Sequence, residues 1–152
     1  MTPRLLSAGA FLALATELAA AWDASVPQGL AAFNRQCIAC HQSDGKGMAG
    51  LAPALAGTLA NLLAIDDGRR YVTLVLIHGL SGRIVSQGQV FVGAMPAQLL
   101  MSDDELAAVA NYLAQDLNGA AQSIFSSADF TQARSAVTTH KQLRELRERL
   151  PR

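Results

Sequence analysis

Cys37-Ile38-Ala39-Cys40-His41 sets two thiols three positions apart and an imidazole directly after the second. A C-x-x-C-H run is a pattern for covalent attachment of a c-type haem. Each thiol can add to one vinyl group of the same macrocycle to form a thioether. His41 then offers a proximal imidazole, the commonest axial ligand of haem iron. Three other chemistries draw on the same residue types. A thioredoxin-like pair is expected near a βαβ pattern, whereas the flanking sequence here is helical and alanine-rich. A zinc site takes about four ligands, yet Cys37 and Cys40 are the only cysteines and His78 and His140 the only other histidines. A disulfide across two intervening residues leaves His41 without a role. Haem attachment uses all three side chains.

Haem iron takes a second axial partner or keeps an open site. The chain has four methionines. Met1 is removed with the N-terminal segment. Met48 lies too near His41 in sequence to reach the opposite haem face easily, and Met101 begins a helix where packing explains it. Met95 stands before Pro96, which biases it toward extended geometry, in what reads as a loop able to cross the distal face. A lone methionine is more often core filler. With a haem motif upstream and this placement, ligation by Met95 is the expectation, and His/Met ligation raises the reduction potential relative to two nitrogen ligands.

These residues must be positioned by the elements around them. Val26, Leu30, Phe33 and Cys37 recur at helical spacing and predict a helix over 26–39 running into the motif. Ser43 to Gly47 and Gly50 to Gly57 read as turns and loop. Arg69 to His78 reads as a helix stopped by Gly79 and Gly82, although its run Val72 to Ile77 also suits a buried strand by periodicity alone. Arg83 to Gln98 reads as loop. Ser102 with Glu105 makes a capping box, and Asp103 and Asp104 suit the helix N-terminus. Leu106, Val109, Ala110, Leu113 and Leu117 form the apolar face of the helix, which ends at Asn118-Gly119.

A length of 152 residues suits one domain with a targeting segment and an appendage. Aromatic residues make up only 5% of the chain, thin for an all-protein core but adequate around a large apolar cofactor. The formal net charge of 0 gives no footprint for nucleic acid or an anionic membrane surface. Residues 1–21 read as a secretory signal. Arg4 is followed by an apolar run from Leu5 to Ala15 and by Leu18-Ala19-Ala20-Ala21 for cleavage, the cut falling between there and about residue 25. The run is shorter than the roughly 20 residues that span a bilayer. A periplasmic protein with no stable membrane span after cleavage is expected.

The spaced residues from Val26 to Gly119 resemble those of the class I monohaem cytochrome c family. Gly29 and Phe33 match a glycine and an aromatic that the family places before the first haem cysteine. Pro53 matches a proline after the haem histidine. Tyr112, with Val109 in place of a more usual leucine, fits the last helix where the family packs it on the first. Gly79 to Gly82 and Met95-Pro96 look like bacterial members. The resemblance implies an all-α cytochrome c fold, with three to five helices wrapped around one haem held by Cys37 and Cys40, over residues 26–119. It also implies that the Pro53 carbonyl accepts the His41 Nδ1–H, leaving Nε2 for iron.

With both axial positions filled by His41 and Met95, the expected activity is outer-sphere transfer of single electrons and no catalytic residue is assigned. The carrier would act alone or as the electron-transfer subunit of a dehydrogenase or reductase, with redox proteins as partners. The alternative is a haem enzyme or gas-binding protein with an open or displaceable sixth site. Residues 120–152 extend beyond the family domain. Leu143, Leu146 and Leu150, interleaved with charges and ended by Pro151, predict an amphipathic helix. It would either pack on its own domain or dock to a partner through its basic side.

Overall fold

The computed structural model of the protein describes residues 25–151; the secretory segment assigned to residues 1–21 lies outside them. Helix α1 (Ser25–Gln36) leads into the single turn α2 (Ile38–His41). Its buried face is Gly29, Ala32 and Phe33, while Leu30 is 40% exposed. The face is therefore rotated from the one that the large apolar residues suggested. The reason is a close crossing with α5 (Asp103–Gln115), the most extensive helix–helix contact of the described residues. A Cβ on Gly29 would stand 2.1 Å from the Ala108 carbonyl oxygen, so only glycine lets the backbones approach this far. Phe33 meets Tyr112 across the crossing with ring centroids 5.3 Å apart.

After the short α3 (Ala60–Leu63), α4 runs from Asp66 to His78. Residues 71–77 of α4 are all buried. That answers the helix-or-strand ambiguity of the apolar run: this helix is covered on nearly every side, by α3, α5 and the C-terminal helices. Gly79 caps it at φ 70°. A Cβ there would lie 2.5 Å from the Met95 carbonyl oxygen.

The segment expected as loop over 83–98 is instead largely an antiparallel hairpin, β1 (Leu80–Ser86) and β2 (Gln89–Met95). Gly82, expected as a helix stop, lies within β1. Gln87 and Gly88 have φ of 48° and 75°, the paired left-handed conformation of a two-residue type I′ connection, whose twist matches that of the strands. Ile84, Val85, Val90, Phe91 and Val92 supply the β-branched and aromatic residues that strands favour. Met95 is therefore the last residue of a strand, paired with Leu80.

Helix α5 carries the expected capping box, with the Ser102 hydroxyl accepting from the Glu105 N–H and the Glu105 carboxylate accepting from the Ser102 N–H. Beyond it the extension folds back as α6 (Ser127–Ser135) and α7 (His140–Arg149). Buried Asn111 docks this return: its Oδ1 accepts from the N–H groups of Ile124 and Phe125, and its Nδ2 donates to the Phe125 carbonyl. Helix α7 packs on β1 and α4 and buries Leu143 and Leu150. Of the two placements considered for it, the structure therefore has it packed on its own domain.

Candidate functional site

Residues 37–41 form one helical turn, which sets Cys37, Cys40 and His41 beside one cleft. The turn stops sharply at Gln42, whose φ is 61°, an uncommon conformation for a residue other than glycine. The Cys37 thiol is pushed up to about 11, mainly by burial and secondarily by Cys40. The His41 imidazole is 8% exposed. Burial lowers its pKa, outweighing the opposing hydrogen bond to Pro53, and so favours the neutral ring that binds a metal.

The His41 Nδ1–H donates to the Pro53 carbonyl at 3.0 Å. This carbonyl is held in place by a folded loop. The Gly47 N–H donates to the His41 carbonyl at 2.9 Å, Met48 and Ala52 exchange N–H···O bonds, and the Leu55 and Ala56 N–H groups both donate to the Gly45 carbonyl. Gly47, at φ 71°, passes so close that a Cβ would sit 2.6 Å from the Pro53 oxygen. Asn118 ties the same loop to the end of α5. Its Nδ2 donates to the Leu55 carbonyl and its Oδ1 accepts from the Leu59 N–H. The sequence reading placed Gly47 in a turn and Asn118 at a helix end; their contribution to the site depends on partners distant in the chain.

The cleft is walled by α4 through Tyr71, Val72, Val75 and Leu76, by α5 through Val109 and Leu113, and by the loop at Leu51 to Leu55. One face of the hairpin completes it. Leu80, Gly82 and Ile84 of β1 stand opposite Met95, Gly93 and Phe91 of β2, and all six line the cleft. A Cβ on Gly93 would meet the Leu51 carbonyl oxygen at 3.7 Å, whereas one on Gly82 would stand 2.8 Å from the Arg144 guanidinium. The cleft encloses about 210 Å³ and opens to solvent at its mouth.

Among the methionines of the described residues, Met95 lines this cleft and Met48 and Met101 do not. Met48 is 39% exposed in the loop and Met101 is 6% exposed within the hydrophobic core. Met95 is fixed from both sides, by pairing with Leu80 and by the close approach of its carbonyl to Gly79. Two residues after Pro96, the Gln98 N–H donates to the Leu76 carbonyl of α4 at 2.9 Å. The remaining histidines are engaged elsewhere. The His78 Nε2–H donates to the Ala133 carbonyl, the His140 Nε2–H donates to the His78 carbonyl, and His140 Nδ1 pairs with the Ser81 hydroxyl.

An apolar cleft with two thiols, a neutral imidazole and a thioether on its walls has the donor chemistry of a covalently held haem. Among the described residues no helix is long and apolar enough to cross a membrane. The sequence profile of the family described as Cytochrome c matches residues 26–116. Two forms of cytochrome c-552 from Thermus thermophilus are each 44% identical to the chain over 79 residues, which is 52% of the chain. The chain spans 60% and 53% of the lengths of these two relatives. Family profile, helical fold and the C-x-x-C-H turn beside its cleft agree: the chain belongs to the cytochrome c family, as a class I c-type cytochrome.

Proposed function

We propose that the protein binds one haem through thioethers at Cys37 and Cys40, ligates its iron with His41 and Met95, and carries single electrons by outer-sphere transfer. When bound, the haem supplies a one-electron iron couple. The chain's own residues do the rest. Cys37 and Cys40 fix the macrocycle against α2. Pro53 fixes the His41 tautomer, so that Nε2 is the free nitrogen, and such a hydrogen bond also raises ligand basicity. Met95 would fill the other axial position with a soft sulfur donor. The apolar walls from α4, α5 and the hairpin would keep water from the iron, and burial is one of the levers that set a haem potential. With both positions filled by protein, small molecules have no vacant site on the metal.

The observation that carries this reading is that Met95, the methionine picked out by sequence, borders the same apolar cleft as His41. The test is the optical spectrum of the oxidised protein. A weak far-red band that disappears in Met95→Ala is expected. A high-spin spectrum in the wild-type protein, with ready CO binding, would refute the carrier reading in favour of an open-site haem protein.

The working context follows from the same proposal. The segment Arg4 to Ala21 would direct export to the periplasm. There the protein would exchange electrons with a dehydrogenase or reductase and with an acceptor, as a free carrier or as a bound subunit. The mass of the protein purified from the periplasm gives the cleavage point, and co-purification from that fraction distinguishes carrier from subunit.

A further inference from the structure

The C-terminal extension does more than cover α4. Arg147 of α7 reaches the cleft and is one of the residues that line it. Its guanidinium carbon lies 5.7 Å from the centroid of the Tyr71 ring, over the ring face. Four other arginines are held by a carboxylate or a carbonyl: Arg35, Arg69 and Arg134 pair with acids, and Arg144, one turn earlier in α7, donates to the Ser81 carbonyl; of the arginines of the described residues, Arg147 is the one that lines the cleft. Arg147 has no such partner among the described residues. Tyr71 is buried at 7% exposure, and its hydroxyl makes no hydrogen bond to another described residue. Burial holds its phenol above the ordinary range, with Arg147 pulling the other way, so it stays protonated and able to donate. Two donors thus stand together at one place in a mostly apolar cleft. An unpaired guanidinium in such a setting calls for an anion, and its planar fork matches a carboxylate.

We propose that Arg147 and Tyr71 form a binding site for a carboxylate of the cofactor, a haem propionate, which makes the C-terminal extension part of the haem site. The inference rests on the haem reading above. It assigns Arg147 a positioning and electrostatic role, delivered by a helix that lies outside residues 26–116 matched by the family profile. A cation that neutralises a propionate disfavours the ferric state, which carries one more positive charge than the ferrous, and so raises the potential.

Potentiometric titration of the full-length holoprotein tests this with Arg147→Gln, Arg147→Lys, Tyr71→Phe and Arg149→Gln. Arg149 is exposed on the same helix and controls for loss of one distant charge. At a fixed applied potential near the wild-type midpoint, Arg147→Gln is expected to lower the ratio of reduced to oxidised protein about threefold or more. Arg147→Lys should recover most of that ratio by restoring the charge. Tyr71→Phe should lower it by a smaller factor, and Arg149→Gln should leave it within about 1.5-fold. An Arg147→Gln protein that melts earlier but titrates as wild type would overturn the proposal and leave α7 a purely structural cover. If Arg147→Gln fails to hold haem, Tyr71→Phe decides, and a wild-type ratio in that variant would overturn the proposal as well. A wild-type protein without a one-electron couple would defeat the haem reading itself, an outcome distinct from any of these.

Discussion

Replacing Gly29 with alanine sets two effects of opposite sign against each other. Glycine inside a helix costs about 1 kcal/mol relative to alanine, so propensity alone predicts a more stable protein. The crossing with α5 predicts the reverse. The new Cβ would sit 2.1 Å from the Ala108 carbonyl oxygen and 2.7 Å from Tyr112 Cβ. The nearest atom is backbone, so no side chain can rotate away. Reaching even a tight 3.0 Å requires α1 and α5 to part by about 0.9 Å, and a gap of 0.5–1 Å forfeits roughly a quarter to a half of each dispersion contact it opens. Overpacking of this kind costs about 1–3 kcal/mol, and a backbone clash belongs near the top of that range. Subtracting the propensity gain leaves a net loss of about 2 kcal/mol, or roughly 8 °C in Tm for a domain of this size. Thermal melts followed by helical circular dichroism test it, with exposed Ala31→Gly in the same helix as the reference, expected to lose about 1 kcal/mol. Because the Cys37 N–H donates to the Phe33 carbonyl, a displaced α1 should also disturb the haem absorption band. A Tm for Gly29→Ala equal to or above wild type would refute the reasoning.

Three further outcomes are expected. Gly47→Ala places a Cβ against the Pro53 carbonyl and forces a side chain into a left-handed turn, so it should weaken the His41 hydrogen bond. Loss of such outer partners costs about 10–100-fold in metal affinity in other sites, so increased high-spin character or haem lability is expected, and an unchanged spectrum would count against the role of this loop. Asp103 is held below the ordinary carboxylate range first by the Thr131 hydroxyl and then by Arg134. A lowered folded value stabilises above the unfolded pKa of about 3.9 and is lost as pH falls through the folded value. Asp103→Asn should therefore melt below wild type by a constant margin at neutral pH, a margin that closes below about pH 4; an undiminished margin at about pH 3 would contradict this. Leu143→Ala should cost about 2–5 kcal/mol by leaving a cavity where α7 meets β1 and α4, measured by denaturant unfolding, and a loss under about 1 kcal/mol would mean the extension is only loosely attached.

What could be read from the sequence follows the range over which each feature is decided. Cys37, Cys40 and His41 act within one turn, and the capping box at Ser102 is equally local, so residue type and spacing suffice for features of this kind. The hairpin was hidden because Gly82, Gly88 and Gly93 resemble loop punctuation. Only pairing shows that Gly82 faces Gly93 across the strands and that Gly88 completes a type I′ turn. The docking role of Asn111, the loop anchor at Asn118 and the reach of Arg147 into the cleft depend on contacts between segments far apart in the chain, which no local periodicity encodes.

The hairpin also changes how the second proposed ligand is held. A methionine in a loop would owe its position to loop length, whereas Met95 owes its position to register, through its pairing with Leu80. Successive strand residues point to opposite faces, so a slip of one residue would send Met95 outward and bring its neighbour toward the cleft. The outward residues Val90 and Val92 are 47% and 68% exposed, while Phe91 between them is 6% exposed. Burial of that alternate set resists the slip and ties the sulfur's placement to the energetics of the hairpin core. His41 is placed by a helical turn and a proline carbonyl, Met95 by a strand pair, and both converge on a cleft that α4 and α5 also wall. Perturbing Ile84 or Phe91 should therefore disturb ligation at Met95 without touching any residue bonded to the haem.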